Sequence, residues 1–237
     1  DVNDTWGGFD CPTFHIGCMC DMYFVPDEKA GAGFKPAGSI EEAEKYGKRF
    51  ADKVSYKGLD LKTINPINKS LNDIFKKYNL KKIKTINVKG IGDVALANYT
   101  DQSLTFSTNL KMESYRKGIE KYYEKGFLAG GKTKNLDDFI NKIVNHETMH
   151  LQFNQYSTHS GIVDLMKSSK RDYVTAVNKA SRAGNMELYN KLKISDYAKT
   201  NLNEFTSEAF NDYRFSKIPS KFSKSVYDNV LEAIKRK

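Results

Sequence analysis

His146 and His150 stand four residues apart in the stretch HETMH, with Glu147 directly after the first, in a chain that holds only four histidines. Positions four apart stack on one side of a helix, so both imidazoles can aim a ring nitrogen at one point about 2.0 Å from each, the bond length zinc prefers. Glu147 falls one step round the helix. Its carboxylate then lies beside such a metal but off the ligand axis, where it can take a proton from a water on the metal and later return it. Zinc lowers the pKa of its water to about 7 in favourable sites and polarises a carbonyl, so the chemistry these residues encode is metal-assisted hydrolysis of a peptide bond. The bland alternative is a pair of surface or core histidines on an amphipathic helix.

A catalytic zinc takes three protein ligands and keeps a fourth position open. Candidates for the third ligand lie in SDYAKTNLNEFTSEAFNDYRF, residues 195–215. Glu204 and Glu208 share one helical face, while Phe205, Ala209 and Tyr213 form another that can pack inward. Asn201 as N-cap with Glu204 three residues on would make a capping box, and Glu208 would then be the ligand. Otherwise Glu204 binds zinc, and Glu208, one turn further, accepts a hydrogen bond from the free nitrogen of a ligating histidine. Because imidazoles must be neutral to ligate, activity is expected to decline as pH falls below about 6.

YAKTNLNEFTSEAF resembles the third-ligand segment of gluzincin peptidases, and in particular that of the anthrax lethal factor-like family, which includes the clostridial Pro-Pro endopeptidases. The family motif runs from a tyrosine seven residues before a glutamate through Glu-Phe-x-x-Glu-x-Phe, matched here by Tyr197, Glu204, Phe205, Glu208 and Phe210. The resemblance implies a zinc-dependent metalloendopeptidase with one catalytic Zn2+ on His146, His150 and Glu204. It makes Glu208 a supporting carboxylate, Glu147 the general base and then acid, and Tyr197 the phenol that steadies the oxyanion of the tetrahedral intermediate. It also implies a protein or peptide substrate held as an added strand along a sheet edge above the zinc helix, for which SLTFSTNL (103–110) is the candidate. The match covers about residues 146–156 and 195–213. The chain departs from the family pattern in having Met149 rather than glycine before His150, Leu151, Gln152 and Phe153 in place of an acidic residue after it, and a longer stretch between His150 and Glu204. These differences bear on the substrate pocket more than on the metal.

Elements must position these groups. Asn135 is a reasonable N-cap and Asp137 and Asp138 suit a first helical turn, after which Phe139, Ile143, His146, His150 and Phe153 share a face. A further helix is expected near 202–215. Upstream, Ser39 with Glu42 reads as a capping box opening a helix whose face is Ile40, Ala43, Tyr46, Phe50 and Val54. A second helix is expected from about Pro66, with Ile67, Leu71, Ile74 and Tyr78 on one side. KIKTINV, DVALANY and SLTFSTNL then read as three short strands, followed by a helix near 112–127. Strands followed by helices predict an α+β fold: a gluzincin-like domain with a small sheet above the HExxH helix and a mainly helical C-terminal lobe.

The 237 residues, 39% apolar and 28% charged, fit one sizeable folded domain or one domain with an appendage. No apolar run approaches the roughly 18 residues of a membrane span. The net charge of +9 is uneven: residues 1–36 carry six acidic groups against two lysines, which leaves +13 on the remainder. The basic runs KKYNLKKIK (76–84) and IKRK lack the aromatic interleaving of a nucleic-acid surface, so nucleic acid is not expected as a partner. A nucleic-acid-associated protein is the third reading, with salt-sensitive DNA binding as its mark. His159 and the basic tail read as ordinary surface.

The small-residue stretch AGAGFKPAGS (30–39) reads as a linker and divides residues 1–36, an irregular cysteine-bearing segment, from a metallopeptidase domain over 37–237. Cys11, His15, Cys18 and Cys20 cluster in CPTFHIGCMC, and no cysteine occurs elsewhere, which is not a disulfide framework. The segment resembles the His-Pro-x-Cys-x-Cys signature that ends the Mu F-like head-morphogenesis domain of tailed phages. That resemblance implies a phage minor head protein with an appended toxin or effector peptidase, associated with the virion or delivered into a target cell. The competing function is a structural minor head protein whose metal site is vestigial or only holds the fold.

Overall fold

A computed structural model describes residues 34–78, 80–156 and 161–235. The cysteine-bearing segment with Cys11, His15, Cys18 and Cys20, and also His159, lie outside the described residues. The first helix, α1 (Ile40–Gly47), starts as expected: Ser39 accepts the Glu42 N–H, while the Glu42 carboxylate reaches back to the Gly38 N–H. It ends seven residues early, because the chain turns through Phe50 into a strand, β1 (Ala51–Val54). Phe50 and Val54 are four apart, a step that satisfies the helical period and the strand period alike. Gly47 lets the chain return closely, since a Cβ there would lie 2.9 Å from Val54 Cγ1.

The second helix, α2 (Leu61–Tyr78), begins a turn before the expected Pro66, because the Asp60 side chain caps the Thr63 N–H at 2.9 Å. Its buried face is the predicted one, Ile67, Leu71, Ile74 and Tyr78. The three predicted strands follow as β2 (Ile83–Lys89), β3 (Ala95–Asn98) and β4 (Ser103–Ser107). The sheet order is β1-β2-β4-β3, with β1, β2 and β4 parallel and β3 running back along β4. SLTFSTNL is therefore not the edge. β4 is paired on both sides, and the edge on that side of the sheet is β3, placed outside it by an Asn98 turn in which Oδ1 takes the N–H groups of Thr100 and Asp101.

Helix α3 (Glu113–Glu124) leads through a glycine-bearing loop to α4 (Leu136–Tyr156), which carries the HETMH motif and is capped by Asn135, whose Oδ1 accepts the Asp138 N–H at 2.9 Å. Four helices follow: α5 (Ile162–Arg182), α6 (Met186–Leu192), α7 (Leu202–Phe215) and α8 (Lys221–Lys235). The long stretch between His150 and Glu204 is thus filled largely by α5 and α6. The fold is α+β, with a small sheet and, after it, only helices among the described residues. None of those helices is long and apolar enough to cross a membrane.

The site rests on α4, which packs on α2, α7 and β3. Phe139, Ile140, Ile143 and Val144 are buried, each stabilising by about 1.5–3 kcal/mol. The polar stripe Lys142, Asn145, Thr148 and Gln152 is buried as well. Asn145 and Asn211 join α4 to α7 at 2.6 Å, Asn211 also donates to the Lys142 carbonyl at 3.0 Å, and Arg214 donates to Asn145. Buried amides with matched partners fix the register of the two helices, because a slip would leave each of them unpaired.

Candidate metal centre

The crossing of α4 and α7 brings His146, His150 and Glu204 together. The two Nε2 atoms are 2.9 Å apart, and Glu204 Oε2 lies 3.2 Å from that of His146 and 3.5 Å from that of His150. Around a tetrahedral ion with bonds of 2.0–2.1 Å, ligand atoms are spaced about 3.3 Å apart, so this triangle has the size of one tetrahedral face. Asn201 does cap α7, its Oδ1 taking the Glu204 N–H at 2.9 Å. The cap uses only the backbone of Glu204 and leaves its carboxylate free to face the histidines, so the two sequence alternatives are not exclusive.

Glu208, one turn on, is buried and stands behind His146. Its Oε1 lies 2.8 Å from His146 Nδ1 and its Oε2 accepts the Ala129 N–H at 2.5 Å. An ionised carboxylate only accepts, so His146 Nδ1 carries a hydrogen, and in the neutral ring Nε2 turns its lone pair to the triangle. His150 Nδ1 pairs with Ser207 Oγ at 3.1 Å, the neutral counterpart of the same device. Ser207 was missed from the sequence, although its place three residues after Glu204 and beside Glu208 was a signal.

Two imidazole nitrogens and a carboxylate oxygen converging on one point make an electron-rich pocket that suits a cation. Glu204 Oε2 is buried and accepts no hydrogen bond of proper geometry, although both imidazoles are near it. Burial pushes the Glu204 carboxyl up, but the imidazoles of His146 and His150 outweigh it and hold it at about 2. Burial pushes His146 down, and the carboxylates of Glu204 and Glu208 more than reverse this, so its imidazole holds a proton well above the ordinary range. Proton and metal compete for that group, and uptake of metal weakens as pH falls. His146, His150 and Glu204 form a group able to hold a metal ion.

Glu147 projects from the next position of α4 toward the sheet. Its Oε2 accepts the N–H of Ala97, on the outer side of edge strand β3, at 2.7 Å. Tyr197 opens a short 3-10 turn, Tyr197–Lys199, placed by main-chain bonds from Asp196 and Tyr197 to the carbonyls of Gly126 and Phe127, each 3.2 Å. Burial and the carboxylates of Glu204, Asp93, Glu208 and Glu147 raise the Tyr197 phenol, so it keeps its proton. All five residues, His146, Glu147, His150, Tyr197 and Glu204, line one cleft of about 700 Å³. Tyr99, Tyr122, Phe127 and Leu96 form exposed apolar walls, and no lysine or arginine lines the cleft among the described residues. Comparison with protein-family models, with curated proteins and with solved structures finds no match.

Proposed function

We propose that the chain is a zinc-dependent metalloendopeptidase of the gluzincin type that hydrolyses peptide bonds of a protein substrate. The observation that carries this reading is the convergence of His146, His150 and Glu204 at a cleft shared with Glu147 and Tyr197. The nitrogen and carboxylate donor set, closed on one side and open to the cleft on the other, fits zinc with a free position. Bound there, zinc would polarise the scissile carbonyl and make the adjacent water acidic enough to attack.

Each protein group then has a task. Glu147 takes the proton of the attacking water and passes it to the leaving amine; the Ala97 N–H holds one of its oxygens, and the other remains for the proton. The Tyr197 hydroxyl, kept protonated, donates to the carbonyl oxygen as charge develops on it. Among the described residues no strand pairs with the outer side of β3, so an extended peptide can add there beside the Ala97 N–H that Glu147 takes, its side chains meeting Tyr99, Tyr122 and Phe127. A cleft with aromatic walls and, among the described residues, no lysine or arginine favours apolar side chains beside the scissile bond over acidic ones.

The direct test is cleavage of a peptide library by the zinc-loaded protein, read by mass spectrometry with and without a chelator. Chelator-sensitive cleavage with apolar residues flanking the bond is expected. Zinc bound at one per chain with no cleavage would favour the competing reading, a phage head protein whose metal only holds the fold. A second test isolates the phenol. Tyr197→Phe should retain its zinc and its KM and lose about 10²-fold in kcat, the cost of one oxyanion donor. An unchanged kcat would remove Tyr197 from the mechanism.

A further inference from the structure

Lys142 has no part in the chemistry above, yet it is 1% exposed, one turn before His146 on α4. A buried ammonium costs several kcal/mol of desolvation unless it is fully partnered, so its partners show what it does. Nζ lies 3.1 Å from Asp138 Oδ2 and donates to the carbonyls of Gly131, at 3.3 Å, and Lys132, at 3.2 Å. It also stands over the ring of buried Tyr123, 5.9 Å from the centroid. The cation thus grips the turn that joins α3 to α4.

That turn leads to the metal centre. Gly130 (φ +102) and Gly131 (φ +60) adopt left-handed backbone, and a Cβ on Gly130 would lie 3.2 Å from Lys142 Cδ and Cε, so the turn is laid closely along the lysine stem. Immediately before it, the buried Ala129 N–H donates to Glu208 Oε2, and Glu208 Oε1 faces His146 Nδ1. A backbone N–H can fix a carboxylate only if its own loop is fixed, and this loop has three glycines, Gly126, Gly130 and Gly131, and no regular structure.

We propose that Lys142 is a positioning residue for the metal centre: its ammonium pins the Gly130–Lys132 turn, which sets the Ala129 N–H that holds Glu208 against His146. The proposal rests on the metal-binding reading of the site and predicts that removing the ammonium loosens the His146 ring without touching any ligand.

The test is a double-mutant cycle on metal affinity, independent of any cleavage. Cobalt(II) would be titrated into the parent, Lys142→Met, Glu208→Gln and the double variant, with binding followed by its visible absorption. Methionine keeps an unbranched stem of similar length but no charge. Each single change should weaken cobalt binding about tenfold or more, the range for partners behind a ligating histidine, and the double variant should bind no more weakly than Glu208→Gln alone. A shift of the cobalt bands in Lys142→Met would report the changed ring orientation. Losses that multiply in the double variant would mean that Lys142 acts on general stability, and the proposal would fall. Unchanged affinity in Lys142→Met would also overturn it while leaving the metal site standing. A parent that takes up no cobalt would remove the metal reading itself, and this proposal with it. Should Lys142→Met not fold, Gly130→Ala replaces it in the cycle: it keeps the ammonium, displaces the same turn, and must show the same non-additive loss.

Discussion

Glu147→Gln is expected to retain one zinc per chain and to cleave peptide about 10²–10⁴-fold more slowly than the parent, a barrier increase of roughly 3–5 kcal/mol. The structure explains why the change is clean. Glutamine has nearly the same shape, and its amide oxygen can still accept the Ala97 N–H that the Glu147 Oε2 accepts at 2.7 Å. Strand β3 and helix α4 therefore keep their spacing, and none of the three metal-facing atoms belongs to residue 147. What is lost is the negative charge and, with it, the capacity to take up and return a proton. Zinc content by elemental analysis, beside cleavage of the best library peptide, makes the comparison. Cleavage as fast as the parent's would mean that the proton moves through another group and that the mechanism is wrong.

Glu204→Ala should lower zinc affinity by more than the 10–100-fold, roughly, that loss of a partner behind a ligand costs. The reason is geometric as well as electrostatic. Two imidazole nitrogens 2.9 Å apart define only one edge of a coordination polyhedron, and Glu204 Oε2 closes the face and supplies its negative charge. Glu208→Ala should cost less, within that 10–100-fold range, because it removes only the acceptor behind His146 Nδ1 and the partner of the Ala129 N–H. Competition with a chromophoric chelator measures both. The reverse ranking, with the larger loss in Glu208→Ala, would hand the ligand role to Glu208 and require α7 to shift along its axis by about one turn.

Much of this arrangement could be read before any coordinates. HETMH requires a helix to be useful, and Asn135 and the apolar steps that follow predict one. The strands KIKTINV, DVALANY and SLTFSTNL and the helix near 202–215 also lie where their patterns place them. Errors arose where one spacing serves two structures. Phe50 and Val54 fit a helix and a strand equally, and the Asp60 cap of α2 lies six residues ahead of Pro66, the more conspicuous signal.

By itself the sequence determined what local geometry determines: that His146 and His150 share a side of one helix with Glu147 beside them, and that Glu204 and Glu208 share a side of another. Both follow from a period of 3.6 residues, which any reader of the chain can apply. Tertiary structure alone decided which carboxylate meets the imidazoles, which strand becomes the edge over Glu147, and that a lysine among four buried polar residues of α4 points at a turn rather than at water. Those outcomes depend on how α4, α7 and the sheet cross. The crossing is set by many side chains far apart in sequence, through packing and through matched buried partners such as Asn145 and Asn211, and no local period encodes it.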